Sequence, residues 1–152
     1  MPYFEEIELG ASEPFGHYVV TRDEVIEFAR RYDPQLFHLE DEAAAAGPFG
    51  KLAASGWMTA ALTMKMLVDH RIGNDGTSLG GAGLKDLKWH RPVYPGDVLS
   101  VRQTIVDKRR SKSRPELGLI TQFVETLDAD GSVVMSMTTT GLFAVRDQAV
   151  TD

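Results

Sequence analysis

The chain of 152 residues contains no cysteine. That excludes disulfides, thiolate nucleophiles and cysteine-ligated metals, and it suits a reducing compartment. Positive charge is in deficit: 16 Lys and Arg against 22 Asp and Glu give a formal net charge of -6, which argues against nucleic acid as a partner. There is no hydrophobic run of membrane-spanning length; the most apolar stretch, residues 52–68, is interrupted by Lys65. The opening residues, Met1-Pro2-Tyr3-Phe4-Glu5-Glu6, lack the basic and apolar regions of a secretory signal, so a cytoplasmic location is expected. There is no internal repeat or low-complexity linker, and the length suits one domain over residues 1–152. No spacing of His, Asp and Glu suggests a metal site.

Hydropathy patterning gives the elements. Gly16 to Val20 reads as a short strand. Thr21-Arg22-Asp23-Glu24 matches a capping box, with Thr21 capping the Glu24 N–H and Glu24 reaching back. Val25, Ile26, Phe28 and Ala29 give the helix that follows an apolar side, and Pro34 ends it near Tyr32. Asp33 to His38 is then loop. A short helix is expected over Glu40 to Ala46, stopped by Gly47-Pro48. Ser55 caps the longest helix, which runs to about Ile72 with Gly73 as its stop and is apolar almost all round, as for a helix buried on most sides. Strands follow at Leu84–Arg91, Val98–Asp107, Leu117–Leu127 and Ser132–Val145, with turns at Pro92–Asp97 and Asp128–Gly131. Consecutive strands with short turns, behind one long apolar helix, predict an α+β class: an antiparallel sheet wrapped around a central helix, the hot-dog pattern.

Three residues stand out as chemistry. Asp33 and His38 lie five apart in the predicted loop, and Gly56 follows His38 by eighteen residues at the mouth of the long helix. A carboxylate can take a proton from water, and a histidine can exchange a second one. A glycine N–H at a positive helix end can donate to a developing enolate oxygen. Each has an ordinary structural role as well: Asp before Pro ends helices, histidines pack, and glycine permits close approach of a helix to a strand. His17, His70 and His90 read as structural or exposed.

These residues, with Phe49-Gly50, Ser55-Gly56 and Pro92-Val93-Tyr94-Pro95-Gly96-Asp97, resemble the MaoC-like dehydratases, among them the (R)-specific enoyl-CoA hydratases. The resemblance spans about Val20 to Val145. It implies a hydro-lyase in which Asp33 and His38 hold and activate water and the Gly56 N–H polarises the thioester carbonyl, with Phe37, Ser55, Trp57 and Met64 toward the substrate. Three positions depart from the family pattern: Gln35 stands for Asn, Leu36 for Pro, and Met64, beside Thr63, for a serine on the central helix.

Lys108-Arg109-Arg110-Ser111-Lys112-Ser113-Arg114 concentrates cations in an acidic chain. Read as a hairpin tip, it is either a solvated turn or a contact for coenzyme A phosphates, with Arg109 and Arg110 as the binding pair. The expectation is therefore an acyl-CoA hydratase or dehydratase, without metal or redox cofactor. Coenzyme A enters only with the substrate, and the chain works as a homodimer or an assembly of dimers. Two alternatives stay open. A hot-dog thioesterase commonly carries an acidic residue on the central helix, where residues 55–68 have none. A non-catalytic acyl-CoA binding subunit is kept open by Met64.

Overall fold

The computed structural model describes residues 3–71 and 77–146. A single turn at Phe4–Glu6 leads to short strands β1 (Gly10–Ala11) and β2 (Phe15–Val19). Helix α1 covers Arg22–Tyr32, a single 3₁₀ turn Leu36–His38, α2 Asp41–Ala45 and α3 Gly56–His70. Four long strands complete the chain: β3 (Ser78–Trp89), β4 (Val98–Arg110), β5 (Leu117–Leu127) and β6 (Val133–Ala144). The strands form one sheet in the order β1-β4-β5-β6-β3, with β2 also on β4, and every pairing is antiparallel.

Thr21 Oγ1 accepts the Glu24 N–H at 3.3 Å, as the capping pattern predicts. The reciprocal half differs. The Glu24 carboxylate turns to the Tyr18 hydroxyl on β2, because tertiary packing offers it a phenol. That bond, with burial and the carboxylate charge, pushes the Tyr18 pKa up to about 12. Helix α1 ends where Pro34 requires, with Asp33 as its C-cap.

Alternation puts Leu99 and Val101 of β4, Val124 of β5 and Met135 and Met137 of β6 on the inner face of the sheet. Met58, Met66 and Leu67 of α3 pack onto this face, and all eight side chains are buried. Each such side chain contributes roughly 1.5–3 kcal/mol of transfer free energy. Thr63 joins the layers, donating to Thr59 O at 2.8 Å and meeting Thr126 Oγ1 of β5 at 2.6 Å. Helix α3 is not buried on most sides in a single chain: Trp57, Met64 and Val68 are 60%, 47% and 45% exposed. The sheet covers only one flank of it.

Strand β3 begins six residues earlier than its pattern suggests. Its glycines carry no hydropathy signal, yet their backbone pairs with β6, Gly81 opposite Gly141. Pairing with β5 likewise extends β4 to Arg110, so Lys108, Arg109 and Arg110 belong to a strand rather than a turn tip. The expected end of α3 at Ile72 and Gly73 lies outside the described residues.

Candidate active site

The site forms where three pieces of chain meet at the N-terminal end of α3. Asp33 is delivered by the end of α1, where its own N–H closes on Ala29 O at 2.9 Å. His38 comes from the single turn at residues 36–38 and is 5% exposed. Leu52, Ala53, Ala54 and Ser55 are all buried beneath them. That segment is tied to the turn after β3 by Ala54 N–H donating to Val93 O at 2.7 Å. The turn is held in its own right. Gly96 takes a φ of 94°, a left-handed value that favours glycine. Asp97 accepts from Tyr94 N–H at 2.9 Å and from Arg91 at 3.0 Å, while Arg91 also reaches Asp128 at 3.1 Å.

His38 Nδ1 is 2.8 Å from Ala53 O. A carbonyl oxygen only accepts, so Nδ1 carries a hydrogen and, in the neutral ring, the lone pair is on Nε2. Nε2 lies 3.4 Å from Asp33 Oδ2. Asp33 Oδ2 also accepts the Ser55 hydroxyl at 2.7 Å, and Oδ1 accepts Gln35 Nε2 at 2.6 Å. Burial pushes the Asp33 carboxyl up, but the hydrogen bonds from Gln35 and Ser55 and the charge on His38 outweigh it, leaving its pKa below the ordinary value. Asp33 is thus held as a carboxylate beside a histidine of fixed tautomer. The pair presents two acceptors when His38 is neutral, and an ion pair when Nε2 is protonated.

Ser55 has two bonds: it donates to Asp33 and, as the cap of α3, accepts Trp57 N–H at 3.3 Å. Gly56 opens the helix, and its N–H meets no acceptor among the described residues. Trp89 of β3 packs directly on it, its Nε1 donating to Gly56 O at 2.9 Å. A Cβ at position 56 would stand 2.4 Å from the indole ring, so glycine is required for packing whatever its N–H does.

A cavity of about 480 Å³ opens onto these groups. Asp33, Phe37, His38, Gly56 and Trp57 all line it, and Ser55 lies just beneath. The cavity does not take in the other expected substrate contacts. Met64 is on the exposed flank of α3, and the Thr63 hydroxyl faces the sheet. Arg109 and Arg110 are at the far end of β4, where Arg110 pairs with Gly118 while the opposite end, Val98, pairs with Val19 beside α1. Arg110 Nε is taken up by Pro115 O at 2.7 Å, Lys108 by Phe4 O and Ile7 O at 2.9 and 2.7 Å, and Arg114 by Glu116 at 2.9 Å.

The structure adds Thr59, Trp89 and His90 to the lining, with Phe49. Thr59 is the hydroxyl residue of α3 that reaches this cavity. Trp57 and Trp89 meet edge to face with centroids 5.3 Å apart. His90 Nε2 lies 2.7 Å from Ser136 Oγ. Its place just before Arg91-Pro92-Val93 is the one sequence signal that could have marked it.

Fold and site define a hot-dog domain with a carboxylate–imidazole pair at the head of its central helix. A family model described as MaoC like domain matches residues 11–126, and the chain belongs to that family. It is 32% identical over 107 residues to the uncharacterized protein YdeM of Bacillus subtilis, covering 70% of this chain and 74% of that one. It is 28% identical over 140 residues to a 3-hydroxybutyryl-CoA dehydratase of Methylorubrum extorquens, covering 89% and 83%. The crystal structure of a MaoC-like dehydratase from Rhodospirillum rubrum superposes with a TM-score of 0.85 at 37% identity, covering 97% and 99%. No helix among the described residues is long and apolar enough to cross a membrane.

Proposed function

We propose that the chain is an acyl-CoA hydratase/dehydratase, adding water to a 2-enoyl-CoA or removing it from a 3-hydroxyacyl-CoA. The observation that carries the reading is the His38–Asp33 pair: a fixed imidazole tautomer, an ionised carboxylate and an apolar cavity in front of both. Similarity to a 3-hydroxybutyryl-CoA dehydratase supports it. In the hydration direction Asp33 and His38 hold one water. The pair takes its proton as the oxygen bonds to C3. The electron pair of the double bond moves to the thioester oxygen, where the Gly56 N–H donates to the developing enolate. The pair then returns a proton to C2, so that water is added in full and both groups end as they began. Phe37, Trp57 and Trp89 keep bulk water from the reacting atoms. The reaction needs no metal or redox cofactor in this reading.

A second copy of the chain completes the proposal. Strand β3 has β6 on one side and no neighbour on the other among the described residues. Trp57, Met64 and Val68 leave an apolar flank on α3. Pairing of two copies would cover both. Arg109 and Arg110 would then meet coenzyme A phosphates only if a second copy carried them toward the first copy's site. The experiment is a spectrophotometric screen of enoyl-CoA substrates that follows loss of the conjugated thioester band, with free thiol measured in parallel. Band loss without thiol release supports the reading. Thiol release selects a thioesterase, and binding without turnover across the panel selects a non-catalytic acyl-CoA binding subunit.

A further inference from the structure

The inner face of the sheet is longer than the helix that covers it. Along β4 the inward positions run Leu99, Val101, Gln103, Ile105, and along β5 they run Val124, Gln122, Ile120. The first residues of each series are buried under α3. Beyond the end of the helix the same face opens into a second cavity, of about 610 Å³. Among the described residues it shares no lining residue with the first. The two sit at opposite ends of α3, whose 15 residues span about 22 Å at 1.5 Å per residue.

The chemistry of this cavity is that of an amphipathic ligand. Leu9, Ile105, Ile120 and Phe143 give it apolar walls. Gln103 and Gln122 put two amides on inward positions where the strand pattern calls for apolar side chains, and neither amide has a protein partner among the described residues. Both glutamines are half-buried, so their amides are left open to a ligand entering the cavity. Arg71, the residue that ends α3, supplies a cation. It is half-buried, donates one N–H to Ser78 Oγ at 3.3 Å and lies 5.6 Å from the Phe143 ring centroid. No carboxylate lies within ion-pair distance of it among the described residues; Glu8 is at the cavity rim, exposed and without such a contact. Burial lowers the Arg71 pKa, because it penalises the charged form. Its remaining N–H groups form a planar fork that matches a carboxylate.

We propose that this second cavity binds an aliphatic monocarboxylate. The carboxylate pairs with Arg71 and takes further hydrogen bonds from Gln103 and Gln122, and the tail lies along Ile105, Ile120 and Phe143. A neutral ligand would leave the cation without a counter-charge among the described residues. A phosphate would set a more strongly hydrated dianion against a phenyl ring. The inference stands apart from the hydratase reading, since it shares no residue with that site.

The test is isothermal titration calorimetry of the full chain with octanoate and with 1-octanol, both below their aggregation limits. Saturable one-to-one binding of octanoate is expected, with octanol at least tenfold weaker. Arg71→Gln should weaken octanoate at least tenfold, whereas Asp33→Asn should leave it unchanged. Ile105→Trp, which fills the cavity and keeps the cation, is the second variant and should also weaken binding; it decides the matter if Arg71→Gln does not fold. The proposal is overturned by absence of saturable binding at millimolar octanoate, by equal affinity in both cavity variants, by octanol binding as tightly, or by loss of binding in Asp33→Asn.

Discussion

Ser55→Ala removes one hydroxyl that makes two bonds, so its cost can be worked from the structure. As the cap of α3 the hydroxyl accepts Trp57 N–H, and loss of such a cap costs about 1 kcal/mol. As a donor to Asp33 Oδ2 at 2.7 Å it serves a charged acceptor, a bond of roughly 1.5–3 kcal/mol. Ser55 itself is buried, while Asp33 lines the cavity, so water reaching the carboxylate would bring the second figure toward its small end. The sum is about 2.5–4 kcal/mol, and with about 2–4 °C per kcal/mol for a chain of this size the melting temperature should fall by roughly 5–16 °C at pH 7. The sign with pH follows from Asp33. Its folded pKa is depressed below the ordinary value, so its stabilising contribution is present above the unfolded pKa and is lost as pH falls through the folded one. The Ser55→Ala deficit should therefore be largest above the ordinary Asp pKa of about 3.9 and shrink toward the cap share as pH falls below it, through the depressed folded value. In turnover, loss of the donor raises the Asp33 pKa and moves the acid limb of kcat/KM to higher pH. Calorimetric melts from pH 3 to pH 7 and a pH–rate profile check both. A melting temperature within 1 °C of wild type together with an unmoved acid limb would refute the reasoning.

Asp33→Asn and His38→Ala should each lower kcat by about 10²–10⁴ with circular dichroism unchanged; full activity in either variant removes that residue from the proton path. Gly56→Ala should destabilise, because its Cβ stands 2.4 Å from Trp89, and pairing it with Trp89→Ala should restore the melting temperature. Gly56→Pro removes the N–H and should cost about 10²–10³ in rate, so an unchanged rate in a folded variant leaves Gly56 with packing alone. Neutralising Arg109 and Arg110 together should raise KM for a full coenzyme A substrate at low salt and spare kcat, with no effect on a pantetheine thioester. An unchanged KM makes the pair a solvated strand end.

Local sequence specified what local forces control. Pro34 stops α1 at Tyr32, and Thr21 caps it, because both act over one turn. Alternation located β5 to the residue, Leu117–Leu127, since its inner face is apolar and its turns are marked. Asp33, His38 and Gly56 could be singled out only as an ordered set and through the family resemblance, since each alone has an ordinary structural role; the loop and the helix start were signalled locally by Pro34 and Ser55.

Tertiary structure decided the rest. No periodicity shows that His38 Nδ1 closes on Ala53 O, fixing the tautomer, or that the Ser55 cap is also the donor to Asp33. Those bonds join segments fifteen and twenty-two residues apart. The glycines of β3 became strand because β6 offered them backbone partners, a pairing with no side-chain signature. Glu24 left its capping box for Tyr18 once β2 came within reach. The cation run of β4 went to the end of the sheet remote from Asp33, and Arg71 and two glutamines came to face one cavity. Strand register across the sheet set those positions, and register is fixed by contacts between strands rather than within them.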